Sequence, residues 1–242
     1  MKTTFISIII PGFNEENRIK NTLNVLNEFC SSHFQSYEII FVDDGSYDQT
    51  YRIVDKLSKE IKNIICLRYN INKGKGYAIR FGMTYAKGDY IFFTDADLPY
   101  VQDFFVQAVE IFQQTRCDIV VGNRRLSGSK NEAQLSQKRQ WASKIFSLLV
   151  RKLFKIDIAD TQCGIKGFSK DCVEKIILKS TIDGYAFDVE IYVLAGYYQW
   201  QIKSLPVTLI NNQLSKIQLR FDSFYIVWEL LKIVHRSKNR CF

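Results

Sequence analysis

Acidic and amide side chains cluster at three points of the sequence, each directly after a short apolar run. The clusters are Asn14-Glu15-Glu16, Asp43-Asp44-Gly45-Ser46 and Asp95-Ala96-Asp97. Each also has a purely structural interpretation, because Asn14 could cap a helix and Asp44-Gly45-Ser46 could turn the chain. Carboxylates that close neighbouring strands at one sheet edge, however, repel each other unless a cation or hydrogen-bond donors lie among them.

The Asp95 and Asp97 pair has the spacing of a metal site. If the strand before them continues, residues two apart point to the same face. Carboxylate oxygens without a neighbouring His or Cys favour Mg²⁺ or Mn²⁺ over zinc. A metal held by so few carboxylates completes its shell with water and substrate phosphates, and we therefore expect a nucleoside diphosphate as the ligand.

The elements that must position these clusters follow from hydrophobic periodicity. Short runs rich in Ile, Val and Phe predict buried strands at residues 5–10, 37–42, 64–69, 90–94 and 118–122. Apolar residues at helical spacing, such as Ile19, Leu23 and Leu26, lie between them. This alternation predicts an α/β fold with a mostly parallel sheet, right-handed crossovers and helices on both faces. Ligands bind outside the carboxyl ends of such strands.

The second half of the chain has a different pattern. Residues 124–137 are polar and predict a loop, and residues 161–169 are interrupted by glycines. Helices are expected at 140–154, 188–198 and 222–236, the later ones amphipathic. A length of 242 residues fits one α/β domain. We therefore expect a single domain over 1–242, with a nucleotide-sugar-binding half at 1–123 and an acceptor and membrane-facing half at 124–242.

Taken together, the motifs resemble glycosyltransferase family 2 with the Rossmann-like GT-A fold. The resemblance rests on IIIPGFNE at 8–15, VDDGS at 42–46, NKGKG at 72–76 and TDAD at 94–97. It implies that Asp95 and Asp97 form the metal-binding DxD motif and that Asp97 is catalytic. The nucleotide-sugar site that it implies consists of Pro11, Phe13, Asn14, Glu15, Asp43, Asp44, Lys73, Gly74, Asp95, Ala96 and Gln162.

Two later motifs, DTQCGIKGF at 160–168 and FDVE at 187–190, resemble enzymes that transfer sugar to polyprenyl phosphate, especially the dolichyl-phosphate glucosyltransferases. One position departs from the related mannosyl-phosphate-lipid synthases. Those carry a Gln two residues after the DxD motif, where this chain has Pro99. Metal binding would then depend on Asp97, the diphosphate and water.

The acceptor decides which further side chains the chemistry needs. A lipid phosphate has a second pKa of about 6, so it arrives ionised and needs cations that position it. Arg124, Arg125 and Lys166 are the candidate phosphate clamps, although Arg124 and Arg125 would also suit an exposed loop. Asp188 and Glu190 are the candidate base, or they order the clamp; their structural alternative is a capped helix N-terminus.

A Trp-bearing basic stretch at 138–155 suits the headgroup region of a membrane. Lys152 falls inside its apolar arc, so a helix packed in the core or in a homodimer stays an alternative. The apolar stripe of the terminal helix could join the same surface. No apolar run approaches the roughly 18 residues that span a bilayer, and no signal peptide is visible, which predicts a cytoplasmic protein attached peripherally to a membrane.

Composition and charge limit which other functional classes fit the chain. The formal charge of +8 and pI near 9.1 indicate an anionic partner. Nucleic acid is disfavoured because the chain lacks a zinc finger, an RNP motif and a dense Lys/Arg block. The six cysteines form no CxxC pair and are interpreted as small buried hydrophobes.

The leading hypothesis is therefore an inverting, metal-dependent transfer of a hexose to a polyprenyl phosphate at a membrane surface. UDP-glucose is the first expected donor and GDP-mannose the next. The alternative is transfer to a hydroxyl of a surface glycan, which requires a strong base at Asp188 or Glu190.

Overall fold

The computed structural model describes residues 4–131, 147, 148, 150–154, 160–210 and 222–238. The strands are β1 Phe5–Gly12, β2 Ser36–Asp44, β3 Ile64–Tyr69, β4 Tyr90–Phe93, β5 Ile119–Asn123, β6 Lys130–Asn131, β7 Lys166–Ser169, β8 Ile202–Pro206 and β9 Thr208–Leu209. The described helices are α1 Ile19–His33, α2 Thr50–Glu60, α3 Lys75–Tyr85, α4 Asp103–Gln114, α5 Lys170–Lys179, α6 Phe187–Tyr198 and α7 Asp222–Lys238.

One seven-stranded sheet, in the order β3-β2-β1-β4-β7-β5-β8, forms the centre of the fold. Its pairs are parallel except that β7 runs antiparallel to both of its neighbours, β4 and β5. The predicted α/β class and mostly parallel sheet are confirmed, and all five expected strands are present. The sequence did not indicate β7, because a four-residue strand with a buried Lys166 lacks the apolar pattern of a central strand.

Helices cover both faces of the sheet, as expected. Successive residues of β1 point to opposite faces, so Ile8 packs with α1 and α4 while Ile9 packs with α3 and α6. Both faces are buried, and the residues from Ile6 to Ile10 have no exposed surface. Burial of both faces is typical of a parallel sheet and explains why the run is apolar at every position except Ser7.

The interpretation of the cysteines as small buried hydrophobes is confirmed for four of the five that the structure describes, Cys30, Cys117, Cys163 and Cys172. Cys66 is only half-buried, and all five are free thiols. Within the same part of the chain, no helix is both long and apolar enough to cross a membrane.

Strand order brings the polar clusters to one edge of the sheet. The strands β2, β1 and β4 are adjacent and parallel, and their register pairs Gly12 with Asp43 and Ile9 with Phe93. The segments that follow these strands therefore leave the sheet side by side, which is the placement that the sequence predicts for a ligand site.

Candidate functional site

Asp43 is held in place at the end of β2. Its side chain is fully buried, and Oδ1 accepts a hydrogen bond from the backbone N–H of Ser46 at 3.2 Å. Its Oδ2 lies 3.2 Å from Nε of Arg68, whose guanidinium also stacks over the Tyr51 ring at 4.3 Å. Asp43 is therefore a fixed carboxylate with one cation beside it.

Asp44 organises the turn that leads into α3. Its carboxylate accepts the backbone N–H of Lys73 at 2.7 Å, that of Gly74 at 3.0 Å and the Tyr69 hydroxyl at 2.8 Å. Burial raises the pKa of Asp44, and these three bonds oppose the rise. The φ of +102° at Gly74 is one that L-residues rarely adopt, so this turn requires its glycine.

Asn14 joins the turn after β1 to the turn after β2. Its backbone N–H donates to Oγ of Ser46 at 2.9 Å, and its Oδ1 accepts the N–H of Tyr47 at 3.0 Å. The N-terminal cap of α1 is Arg18, so the alternative of Asn14 as that helix cap is wrong. Phe13 meets the Tyr47 ring edge to face, with the ring centroids 5.2 Å apart.

Asp95 is confined by a lysine and a glycine. Its Oδ1 lies 2.5 Å from Nζ of Lys75, the first residue of α3. A Cβ atom added to Gly164 would stand only 2.0 Å from its Oδ2, so the 160–168 motif needs a glycine here to approach the carboxylate. The backbone then turns, with Leu98 N–H donating to the Asp95 carbonyl at 3.0 Å.

This turn decides the condition on which a shared face of Asp95 and Asp97 depended. The strand β4 ends at Phe93, and Leu98 has a φ of +41°, so the chain is not extended through Asp97. The two carboxylates nevertheless interact, because burial and the charge of Asp95 raise the pKa of Asp97 to about 6. A divalent cation would relieve this repulsion.

The residues present fit a hard metal ion that is completed by substrate. Among the described residues, no group of three or more His, Cys, Asp and Glu side chains could hold a metal by itself. Asp95 and Asp97 offer oxygen ligands only, which suits Mg²⁺ or Mn²⁺ with phosphate and water in the remaining positions. The metal role of this pair stays a prediction.

Lys166 and Asp188 form a buried ion pair. The Lys166 side chain has no exposed surface, and its Nζ lies 2.5 Å from Oδ1 of Asp188 and 2.6 Å from the Cys163 carbonyl oxygen. The rings of Phe93 and Tyr192 flank the ammonium at 5.4 and 5.6 Å. Lys166 is thus held behind Asp188, and its role as a phosphate clamp stays a prediction.

Lys75 contacts Asp95 and was not among the site residues predicted from the sequence. Burial opposes its charge, but the carboxylates of Asp95 and Asp188 raise its pKa above the ordinary value. The ammonium groups of Lys75 and Lys166 lie 5.8 and 5.4 Å from the centroid of the Phe93 ring, so both lie near the same side chain. A signal existed, because a lysine at the first residue of a helix opposes the helix dipole and needs another reason to be there.

Arg124 is engaged with Asp160 at the end of β5. Its Nε and Nη2 each lie 2.7 Å from one carboxylate oxygen, and its backbone N–H donates to Oδ2 at 3.0 Å. Although burial opposes it, the guanidinium holds the pKa of Asp160 below its ordinary value. The alternative of an exposed loop pair is therefore wrong for Arg124. Arg125 is exposed, and its Nη2 donates to Oγ of Ser147 at 3.1 Å.

Glu190 is saturated by hydrogen bonds. Its buried carboxylate accepts the N–H groups of Thr181 and Ile182, each at 3.0 Å, together with the Ser180 hydroxyl. Nη1 of Arg236 lies 2.6 Å from Oε1. The N-cap of α6 is Ala186, so neither Asp188 nor Glu190 is the cap residue of the structural alternative. Both do lie in the first turn of α6, where that alternative placed them favourably for the helix dipole.

The other candidates lie around the same edge or beyond the described residues. Ala96 is buried and accepts the Thr22 hydroxyl at 2.6 Å, Gln162 is half-buried, and the exposed Lys73 packs its ammonium 4.2 Å from the Tyr77 ring centroid. Glu15 N–H donates to Thr50 Oγ1 at 2.6 Å, and Pro11 pairs with Val42 in the sheet.

The predicted helix at 140–154 is described only in part. Residues 147, 148 and 150–154 are helical, and Trp141, Lys144 and Lys155 lie outside the described residues.

We call Asn14, Asp43, Asp44, Asp95 and Asp97 the donor edge, and Lys166, Asp188 and Glu190 the acceptor edge. The structure brings all five donor-edge residues to the ends of three adjacent strands. At the acceptor edge, Lys166 and Asp188 meet, while Glu190 turns away to bind residues 180–182.

Comparisons with a family model and with curated proteins agree on one family. The model of glycosyl transferase family 2 matches residues 7–177. The dolichyl-phosphate beta-glucosyltransferase of Drosophila melanogaster is 32% identical over 96% of this chain and 79% of its own length. The corresponding proteins of Dictyostelium discoideum and Trichomonas vaginalis are each 31% identical, over 96% and 90% of this chain and 74% and 69% of their own lengths.

Solved structures show the same fold at lower identity. Glucosyl-3-phosphoglycerate synthase from Mycobacterium tuberculosis, crystallised with UDP, gives a TM-score of 0.71 at 16% identity over 96% of this chain and 80% of that chain. The same enzyme with Mn²⁺, UDP and glucosyl-3-phosphoglycerate gives 0.69, also at 16% identity and with the same coverage. At this identity the likeness concerns the fold alone.

Proposed function

Because the chain belongs to glycosyltransferase family 2 and is a hexosyltransferase, we propose that it transfers glucose from UDP-glucose to a polyprenyl phosphate, dolichyl or undecaprenyl, at a membrane surface. The transfer would invert the anomeric centre and depend on Mg²⁺ or Mn²⁺. The named activity of the similar dolichyl-phosphate glucosyltransferases supports the sugar and the lipid acceptor.

One structural observation favours a phosphate acceptor over a hydroxyl. Both candidate bases are already engaged, Asp188 by Lys166 at 2.5 Å and Glu190 by backbone N–H groups, a hydroxyl and Arg236. A hydroxyl acceptor must lose its proton in the reaction, whereas a phosphate near pH 7 is already largely ionised. Two engaged carboxylates therefore suit the acceptor that needs no base.

The residues of the chain have distinct parts in this mechanism. Asp43, Asp44 and the Lys73-Gly74 turn hold the nucleoside, and Asp97, with Asp95 beside it, would hold the metal. When bound, the metal neutralises the charge that grows on the departing diphosphate. Lys75 keeps Asp95 in place through its contact at 2.5 Å and brings a cation between donor and acceptor.

Peripheral attachment to the cytoplasmic face of a membrane belongs to the same proposal. On α7, Tyr225, Val227, Trp228 and Leu231 are about half exposed, and Nζ of Lys232 stands 3.4 Å from the Trp228 ring centroid. Apolar side chains with adjacent cations suit a bilayer surface that carries anionic lipids. The net charge of +8 supports the same partner.

A thermal-shift panel of UDP, GDP, TDP and CMP, each with and without Mn²⁺, tests the donor and the metal. A ligand that binds only the native state raises the melting temperature, so we expect UDP with Mn²⁺ to give the largest shift. A panel in which GDP alone stabilises the protein would replace glucose with mannose.

Radiolabelled UDP-glucose with polyprenyl phosphate, in parallel with a soluble glycan, tests the acceptor. We expect label in the lipid fraction only. Label in the glycan fraction alone would favour the hydroxyl acceptor and contradict the proposal.

A further inference from the structure

The segment Ser180–Ala186, between α5 and α6, packs against the beginning of α3. The Asp183 carbonyl accepts the Tyr77 N–H at 3.1 Å. A Cβ atom on Gly74 would lie 2.6 Å from this carbonyl oxygen, and one on Gly76 would lie 2.6 Å from that of Ile182. The segment therefore touches the turn that Asp44 organises and from which Lys75 reaches Asp95.

Charged side chains from three helices hold this segment. From α3, Arg80 donates to the Ile182 carbonyl and to the Asp183 carboxylate. From α6, Glu190 accepts the N–H groups of Thr181 and Ile182. From α7, Arg236 donates to Thr181 Oγ1 at 2.7 Å and to the Lys179 carbonyl at 2.8 Å. These charged contacts fix the backbone of a short segment that lies between the α3 turn and the start of α6.

The contact of Glu229 with the segment is closer than the others to the start of α6. Glu229 is a residue of α7 and only 2% exposed, and its Oε1 and Oε2 accept the N–H groups of Gly184 at 2.8 Å and Ala186 at 3.1 Å. A Cβ atom on Gly184 would stand 2.6 Å from Oε1, so the glycine allows the carboxylate to enter. Since Ala186 is the N-cap of α6, Glu229 satisfies a free N–H group at the start of that helix.

We propose that Glu229 is a positioning residue for the acceptor edge. By fixing Gly184 and Ala186, it sets where α6 begins, and two residues later Asp188 contacts Lys166. The helix α7 then contributes to acceptor binding through its contact with the segment before α6. The expected change in the KM for the acceptor rests on the proposed function.

The test is Glu229→Gln in the full-length protein, with Glu174→Gln as the matched control because Glu174 is exposed on α5. The amide keeps the size of the side chain but presents its own N–H to one of the two backbone donors. We expect the KM for polyprenyl phosphate to rise about tenfold, while the KM for the donor and the UDP thermal shift change less than about twofold. A merely structural role would reduce the number of active molecules and leave both KM values unchanged.

A second variant makes the test independent of one substitution. Gly184→Ala should raise the acceptor KM in the same way, because the new methyl group displaces the carboxylate. In a Glu229→Ala background the methyl group meets no carboxylate, so Gly184→Ala should add no further effect. Additive effects of the two substitutions would contradict a direct contact.

Hydrogen exchange separates this inference from the proposed function. We expect faster exchange at the Gly184 and Ala186 amides in Glu229→Gln and unchanged exchange in Glu174→Gln. If the wild-type protein transfers glucose to the lipid but Glu229→Gln keeps both KM values and normal exchange, the positioning role is overturned and the function stands. If the wild-type protein transfers nothing to the lipid, the proposed function fails, and exchange alone decides the positioning role.

Discussion

The donor and acceptor edges hold their carboxylates in different ways. At the donor edge, Asp44 accepts the backbone N–H groups of Lys73 and Gly74. The cations beside Asp43 and Asp95, which are Arg68 and Lys75, keep part of their surface exposed. At the acceptor edge, Lys166 has no exposed surface and pairs with the buried Asp188. The buried Glu190 combines backbone N–H donors with Arg236, 46 residues away.

This difference predicts how each edge responds to substitution. A partly exposed cation such as Lys75 can be hydrated when its donor-edge carboxylate is removed, so the loss of Asp95 or Asp97 should appear in ligand binding with little change in folding. Removing one partner of a buried ion pair leaves an uncompensated charge, which is strongly destabilising. We therefore expect substitutions to affect activity at the donor edge and stability at the acceptor edge.

The largest effect is expected for Asp97→Ala, which should reduce transfer by about a thousandfold or more, because the diphosphate charge would lose its metal. The melting temperature of the apo protein should not fall, since repulsion from Asp95 disappears. Activity assays and thermal melts check both parts, with the exposed Asp103→Ala on α4 as control. Full activity of the Asp97 variant would exclude the metal role.

At the acceptor edge, Lys166→Met should cost about 3 kcal/mol of unfolding free energy, because Asp188 is left buried without its cation. The double variant Lys166→Met/Asp188→Leu should recover more than half of that loss. Denaturant unfolding measures both. A double variant that is as unstable as the single one would show that packing around β7, and not charge, governs this edge.

The contrast also explains what could be predicted from the sequence. Strand-end motifs and apolar periodicity predicted the sheet, both helical layers and the donor edge, because local sequence determines those features. The antiparallel β7 was not predicted, because a lysine such as Lys166 is typical of a surface position. Its burial depends on the contact with Asp188, which is distant in the sequence. The contacts of Glu229 and Arg236 join positions more than 40 residues apart, and no local pattern indicates them.

The path of the chain through the DxD motif was left open by the sequence for a local reason. A shared face of Asp95 and Asp97 depended on a continued strand, but β4 ends at Phe93 and Leu98 adopts a positive φ that non-glycine residues seldom show. The turn leaves Asp97 half-buried and close enough to Asp95 to feel its charge. Such a strained residue beside a ligand site is a feature that propensity arguments miss.

A pH series sharpens the comparison at the donor edge. Burial and Asp95 raise the pKa of Asp97 to about 6 from an ordinary value of 3.8, so the folded apo protein binds this proton more tightly than the unfolded chain does. Stability from this group is therefore present below pH 4 and lost as the pH rises through about 6. With metal chelated, Asp97→Asn should become more stable than wild type by about 3 kcal/mol at pH 7 and should show no such gain at pH 4. A constant difference across this range would contradict the assignment.

The smallest expected effect decides whether the two edges are independent. Lys75 contacts Asp95 at 2.5 Å and feels the charge of Asp188, so it belongs to both edges. We expect Lys75→Gln to raise the donor KM about tenfold, and a double-mutant cycle with Asp188→Asn to show a coupling of about 1 kcal/mol in kcat/KM. Additive effects would mean that the edges act separately and that Lys75 serves the donor alone. A coupling of this size would show that the lysine transmits the state of the donor carboxylates to the acceptor edge.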